Sequence, residues 1–315
     1  MIVPMIELAD ALKARAVMTA DDVLAIRRVA WPDGSIDAVE ADAIFALNDA
    51  IAAPPTEWVD FFVEAMTAYV VRQQQPTGYV DAAKAGWLIA RIDADGRVES
   101  RAELELLVKV LETAVNVPDS LKAYALAQIE AAVATGSGPT RGAGALDPGS
   151  INAAEVALLR RMLFAAAGDG PASISRAEAE LLFRLKAATM DAPNAPEWKT
   201  LFVQAVGNHL MAHNDYRALS RERAAELDAF MSDNHVRVGG FLARVGQSFA
   251  NGAFLELFGS KAPKPDHDAA VAADRAIAPE EAAWLKAQVE ADGTLDELEK
   301  ALLAFVTEES GRPAF

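Results

Sequence analysis

The sequence predicts an all-α protein built from two tandem, related helical-bundle domains, and three observations predict it. Ala, Leu, Glu, Lys and Arg dominate, and apolar residues recur at three- and four-residue spacing, as in Leu104, Leu107, Val108 and Leu111 or Leu181, Leu182, Leu185 and Ala188. No segment shows the apolar–polar alternation of a half-buried strand. Finally, a helix stop followed by a helix start occurs four times: Asp33-Gly34 before Asp37 and Glu40, Asp95-Gly96 before Ser100 and Glu103, Asp169-Gly170 before Ser175 and Glu178, and Asp292-Gly293 before Asp296 and Glu299. In each, Gly ends one helix in the left-handed conformation, and an Asp or Ser with a Glu three positions later caps the next.

Taken in chain order, Thr19 is an N-cap for a helix over Asp22 to Arg28, and the first Asp-Gly copy opens the following helix. Thr56 is read as the N-cap of a helix carrying Trp58, Phe61 and Phe62. The second copy then separates a helix containing Trp87 from one containing Leu104 to Leu111, and Pro118 stands where a first helical turn accepts proline. Thr135 to Gly144, rich in Gly, Ser and Pro, is linker chemistry. No Lys-Ser or Lys-Thr pair follows its glycines, so they do not make a phosphate loop. Beyond it, Asn152 caps a helix, the third copy opens another, Pro196 and Pro279 open two more, and the fourth copy opens the last.

The two halves align. Asp22 to Arg28 matches Glu155 to Arg161, Glu57 to Val63 matches Glu197 to Val203, and Trp87 and Trp284 precede Asp95 and Asp292 by the same interval. This places a first domain at 1–134, a flexible linker at 135–149 and a second domain at 150–315, with a helical insertion at about 214–275. The paired tryptophans Trp58 and Trp198, and Trp87 and Trp284, read as core anchors of the repeat.

Of the 315 residues, 29 are basic and 46 acidic, a net charge of -17 that repels a phosphate backbone, so nucleic acid is not expected as a partner. There is no cysteine, which removes disulfides, thiolate nucleophiles and Cys-based metal sites and agrees with a cytoplasmic location. The N-terminus lacks the basic flank and apolar run of a signal peptide. The most apolar stretch, Val236 to Phe258, is broken by Arg237, Arg244 and Glu256, so no transmembrane segment is expected.

Three groups of residues invite chemistry. Asp93, Asp95, Glu99 and Glu103 place four carboxylates around the second copy and could bind a divalent cation weakly. The calcium-loop frame fails, however: with Gly96 at the sixth position, the first is Arg91 and the twelfth is Ala102. His209 and His213 stand one helical turn apart, a zinc-compatible spacing, but Leu210 occupies the place of the metalloprotease Glu; they read first as a surface pair. In the insertion, Phe241, Val245, Phe249, Phe254 and Phe258 form a candidate face for a protein partner or for peripheral membrane contact. No Gly-x-Ser-x-Gly elbow is present to support a serine nucleophile.

The four Asp-Gly copies, most clearly Glu290 to Glu299 and Ile92 to Val98, resemble the TerB-like helical family associated with tellurite resistance. The resemblance implies an acidic helical module in a cytoplasmic, membrane-associated stress-response system, with metal ions as ligands of its acidic residues. The function expected is noncatalytic binding or scaffolding, with a protein partner and no certain cofactor. Two alternatives stand beside it: a metal-dependent enzyme using His209 and His213, and a membrane-peripheral structural protein acting through 236–258.

Overall fold

The chain is described here from a computed structural model covering residues 2–32, 34–93, 98, 100–141, 148–165, 173–211, 277–291, 293 and 295–310. The helices are α1 Ile2–Arg15, α2 Ala20–Ala30, α3 Ala38–Ala50, α4 Thr56–Thr67, α5 Ala82–Ile92, α6 Arg101–Thr113, α7 Asp119–Thr135, α8 Ala153–Leu163, α9 Arg176–Ala188, α10 Glu197–Met211, α11 Pro279–Val289 and α12 Glu297–Ser310. A π-helix, Ala68–Gln73, continues α4. The described residues contain no strand, and their single β-type contact is an isolated parallel bridge between Tyr79 and Asn116.

Helix starts follow the caps legible in the sequence. Reciprocal side-chain and backbone bonds form between Thr19 and Asp22, Asp37 and Glu40, Ser100 and Glu103, and Ser175 and Glu178. The same exchange joins Asn152 with Glu155 and Asp296 with Glu299. Gly34 and Gly293 adopt φ of 78° and 72°, the left-handed geometry that lets a helix stop and the chain turn into the next cap. One expected cap is corrected: Thr56 is the first residue of α4, and Pro55 holds the N-cap position without a side-chain bond. Pro55 is extended there, with φ of -68° and ψ of 160°, a conformation that proline's fixed φ permits.

By contact, the chain divides into two compact units. Residues 1–150 with 157–170 form one, and 151–156 with 171–315 form the other.

In the first unit α4 packs on α6, α1 on α3, α2 on α4, and α7 on α5 and α6. Trp58, Phe61, Phe62 and Phe45 fill the centre, with Phe45 edge-on to Phe62 at 5.1 Å. Each such ring removed from water contributes roughly 1.5–3 kcal/mol. Arg161 pairs with Glu105 and Glu112 of α6 at 2.7 Å each. Its bond to Glu112 leads in holding the guanidinium charged, against the opposing effect of burial.

In the second unit α10 packs on α9 and α12. Trp198 and Phe202 are buried, and Phe183 stands edge-on to both Phe202 and Trp284 at 5.2 and 5.7 Å. Gly207 admits the ring of Phe305 against the α10 backbone: a Cβ there would lie 2.4 Å from that ring.

Candidate functional site

The carboxylates of the repeated motif are chiefly structural where they are described. Glu103 accepts the Ser100 backbone N–H at 3.0 Å and also the Asn48 side-chain amide at 3.0 Å. Asn48 donates as well to the Ser100 hydroxyl, and its carbonyl accepts the Trp58 indole N–H at 3.3 Å. The motif's capping pair is thus tied to the core tryptophan through one buried amide. Asp93 caps the end of α5 and accepts the Tyr124 hydroxyl at 3.3 Å. Asp95 and Glu99 lie outside the described residues. Among the described residues, no group of three His, Asp or Glu side chains is placed to hold a metal ion.

The second unit builds a related knot with a different cation. Lys186 of α9 donates to Asp296 at 2.6 Å and to Glu299 at 2.5 Å, and all three groups are largely buried. Burial pulls the Lys186 ammonium pKa downward, but its bonds to the two carboxylates outweigh that and raise it overall. For Asp296, burial pushes upward, and Lys186 with the Glu299 and Leu298 backbone N–H groups carries it below the ordinary carboxylate value. Asn48 and Lys186 occupy the same register, each eleven residues past its cap at Asp37 or Ser175 (48 − 37 and 186 − 175).

His209 is buried, not at the surface as its sequence context suggests. It stands in the same register as Tyr69, eleven residues beyond Trp198 and Trp58 respectively, and its ring lies edge-on to Trp284 at 5.1 Å. Nδ1 lies 2.9 Å from the Ile174 carbonyl, while Nε2 is buried with no hydrogen-bond partner. The apolar neighbours of α10 explain the correction: the helix turns this ring inward with Trp198 and Phe202. His213, and Phe241, Val245, Phe249, Phe254 and Phe258 with the rest of the insertion, lie outside the described residues.

The first unit carries a groove of about 1700 Å³ bordered by α4, α6 and α7. Thr56, Val59, Asp60, Val63, Glu64 and Thr67 contribute one continuous stripe of α4, at the spacing of a single helix face. Ala127 and Ala131 expose a small-residue wall on α7. Arg101, Glu105 and Lys109 run along α6, and Arg72 enters from the π-helix. The loop after that π-helix is fixed by the buried Lys84 ammonium, which donates to the carbonyls of Gln74, Pro76 and Tyr79 at 2.7–3.0 Å.

Several of the groove's charges are already engaged. Glu64 pairs with Arg27, Glu105 with Arg161 and Arg91 with Asp42. Lys109 is 3.9 Å from Glu112, which already takes two bonds from Arg161. Arg72 and Arg101 are exposed and make no ion pair with a described residue. Thr67 is 4% exposed, and its hydroxyl has no hydrogen-bond partner.

No family model, curated protein or solved structure matches the chain.

Sequence reasoning did not single out the groove, Asn48 or Lys186. The signal for the two side chains was present: each stands on the inward face of its helix, a place where a polar residue requires a partner. The groove had no such signal, because its lining comes from several helices separated in sequence.

Proposed function

We propose that this protein is a noncatalytic binding or scaffold protein, with the first unit's groove as its binding surface. The observation that carries this reading is the groove itself, an exposed trough along a full face of α4 that mixes short aliphatic side chains with charged ones and sets no nucleophile beside a base among the described residues. Its volume exceeds the roughly 300–1,000 Å³ typical of small-molecule sites and suits a macromolecular segment.

We further propose that the two units descend from one duplicated module, interrupted in its second copy by the insertion at about 214–275. The matched registers of Asn48 and Lys186, of Phe45 and Phe183, and of Tyr69 and His209 support this. The four Asp-Gly copies remain the basis for a TerB-like assignment and for a cytoplasmic stress-response role.

A photocrosslinking residue installed in turn at Ala127 and Ala131, and away from the groove at Leu24 and Met190, tests the binding role in living cells. A discrete protein adduct from the groove positions is expected. If none of the four positions yields one, the scaffold reading fails.

A further inference from the structure

We infer that the groove of the first unit receives an acidic amphipathic helix from a partner protein; the inference rests on the binding reading above and names the chemistry of what binds. Three observations carry it.

The first is shape. The lining stripe from Thr56 to Thr67 spans eleven helical rises (67 − 56), roughly 17 Å or three turns. Half-buried Val59 and Val63 mark its floor, and exposed Ala127 and Ala131 stand opposite. Small and β-branched side chains along a trough of helical length leave room for the larger apolar residues of an incoming helix, presented at three- and four-residue spacing.

The second is a comparison of register within the chain. Thr67 and Gly207 each stand nine residues beyond a core tryptophan, Trp58 or Trp198, and Lys109 and Phe305 each stand nine beyond a cap, Ser100 or Asp296. In the second unit Phe305 presses onto Gly207, and the adjoining Val203 and Gln204 are buried. In the first unit a buried threonine replaces the glycine and an exposed lysine replaces the phenylalanine, and Val63 and Glu64, at the places of Val203 and Gln204, are half-buried and exposed. The Thr67 hydroxyl is left buried and unpartnered on that face. One module closes the trough with its own ring; the other keeps it available.

The third is charge. The protein carries a net -17, yet the groove presents cations that lack a close partner among the described residues: Arg72 and Arg101 make no ion pair there, and Lys109 has only a distant one. Asp49 and Asp60 are exposed acids of the same lining, and Glu64 is engaged by Arg27. Carboxylates flanking the apolar face of an incoming helix complement Arg72 and Arg101, whereas a basic helix would meet two uncompensated guanidinium groups.

The experiment is a selection of displayed sixteen-residue peptides, patterned as amphipathic helices with randomised polar positions, on the full-length chain. Enriched peptides are expected to be net acidic. Their affinity, measured by fluorescence anisotropy on synthetic copies, should fall at least tenfold for the Arg72→Glu/Arg101→Glu double variant and be lost for Ala131→Trp, which fills the trough. Arg28→Glu, a like charge change on α2 outside the groove, should leave binding within twofold. Circular dichroism and melting confirm that each variant folds, and the exposed arginine pair supplies the test if Ala131→Trp does not. Enrichment of basic or uncharged peptides, binding that survives both groove variants, an equal loss with Arg28→Glu, or no enrichment at all overturns the inference. A cellular adduct from another face with no groove-dependent peptide would sink this inference alone; selected acidic helices without any adduct would sink the cellular role instead.

Discussion

At the scale of single residues, Lys186 carries the sharpest expectation. Its ammonium neutralises Asp296 and the fully buried Glu299, and removing one member of such a buried set leaves uncompensated charge, a loss of about 3–5 kcal/mol. Lys186→Ala should therefore lower the urea midpoint of the second unit strongly, while Lys300→Ala, on an exposed pair, should leave it essentially unchanged. The pH dependence has a definite sign. Asp296 has a depressed folded pKa, so its contribution is present above the unfolded value near ~4 and is lost as pH falls through the folded one. Lys186 has a raised folded pKa, so its contribution is complete below an unfolded value near ~10.4 and disappears as pH climbs through the folded one. Denaturant unfolding between pH 3 and 11 should show a plateau bounded by these two losses, and Lys186→Ala should flatten the alkaline edge. Neither partner assignment was legible from Lys186 itself, because its carboxylates are about a hundred residues away, at 296 and 299.

At the scale of elements, the sequence was most legible where the physics is local. A cap and its acidic partner lie within a few residues of one another, which is why all six reciprocal caps fall on positions readable from the chain, five of them at Asp37, Ser100, Asn152, Ser175 and Asp296 with a Glu three residues on. Thr19 completes the set through a pairing with Asp22 rather than Glu. There the Thr19 hydroxyl and backbone N–H, with Arg15, hold the Asp22 carboxyl below its ordinary pKa. Ser175→Ala should cost about 1 kcal/mol by loss of the α9 cap, measured by thermal melting. The π-helix after α4 has no comparable local signature. The Phe305 seat depends on an element packed from far along the chain, so Gly207→Ala reads a different scale of interaction: its added methyl meets the ring, and a repacking cost of about 1–3 kcal/mol is expected in a chemical denaturation curve.

At the scale of the whole molecule, composition and periodicity were sufficient for the fold class, since the described residues form helices and no strand. They were insufficient for the groove. A concavity is defined by what fails to cover a helix face, and that depends on how α4, α6 and α7 meet rather than on any run of residues. The same argument explains His209: spacing showed that it could share a face with His213, but burial against Trp284 was decided by tertiary packing. Because each unit has its own buried aromatic centre, Lys186→Ala is expected to separate unfolding into two transitions by differential scanning calorimetry, with the earlier one assigned to the second unit.

Glu103 and Glu299 each serve two masters: they accept the first backbone N–H of a helix and a side chain from another helix, Asn48 or Lys186. The consequence is thermodynamic coupling between fraying and undocking. The first turn of α6 cannot open without releasing α3, nor that of α12 without releasing α9, so a helix end that would ordinarily exchange its amide protons by local fluctuation is bound to the stability of its unit. Secondary and tertiary structure are joined at that carboxylate, and each unit is made more cooperative by a residue whose sequence context announces only a cap.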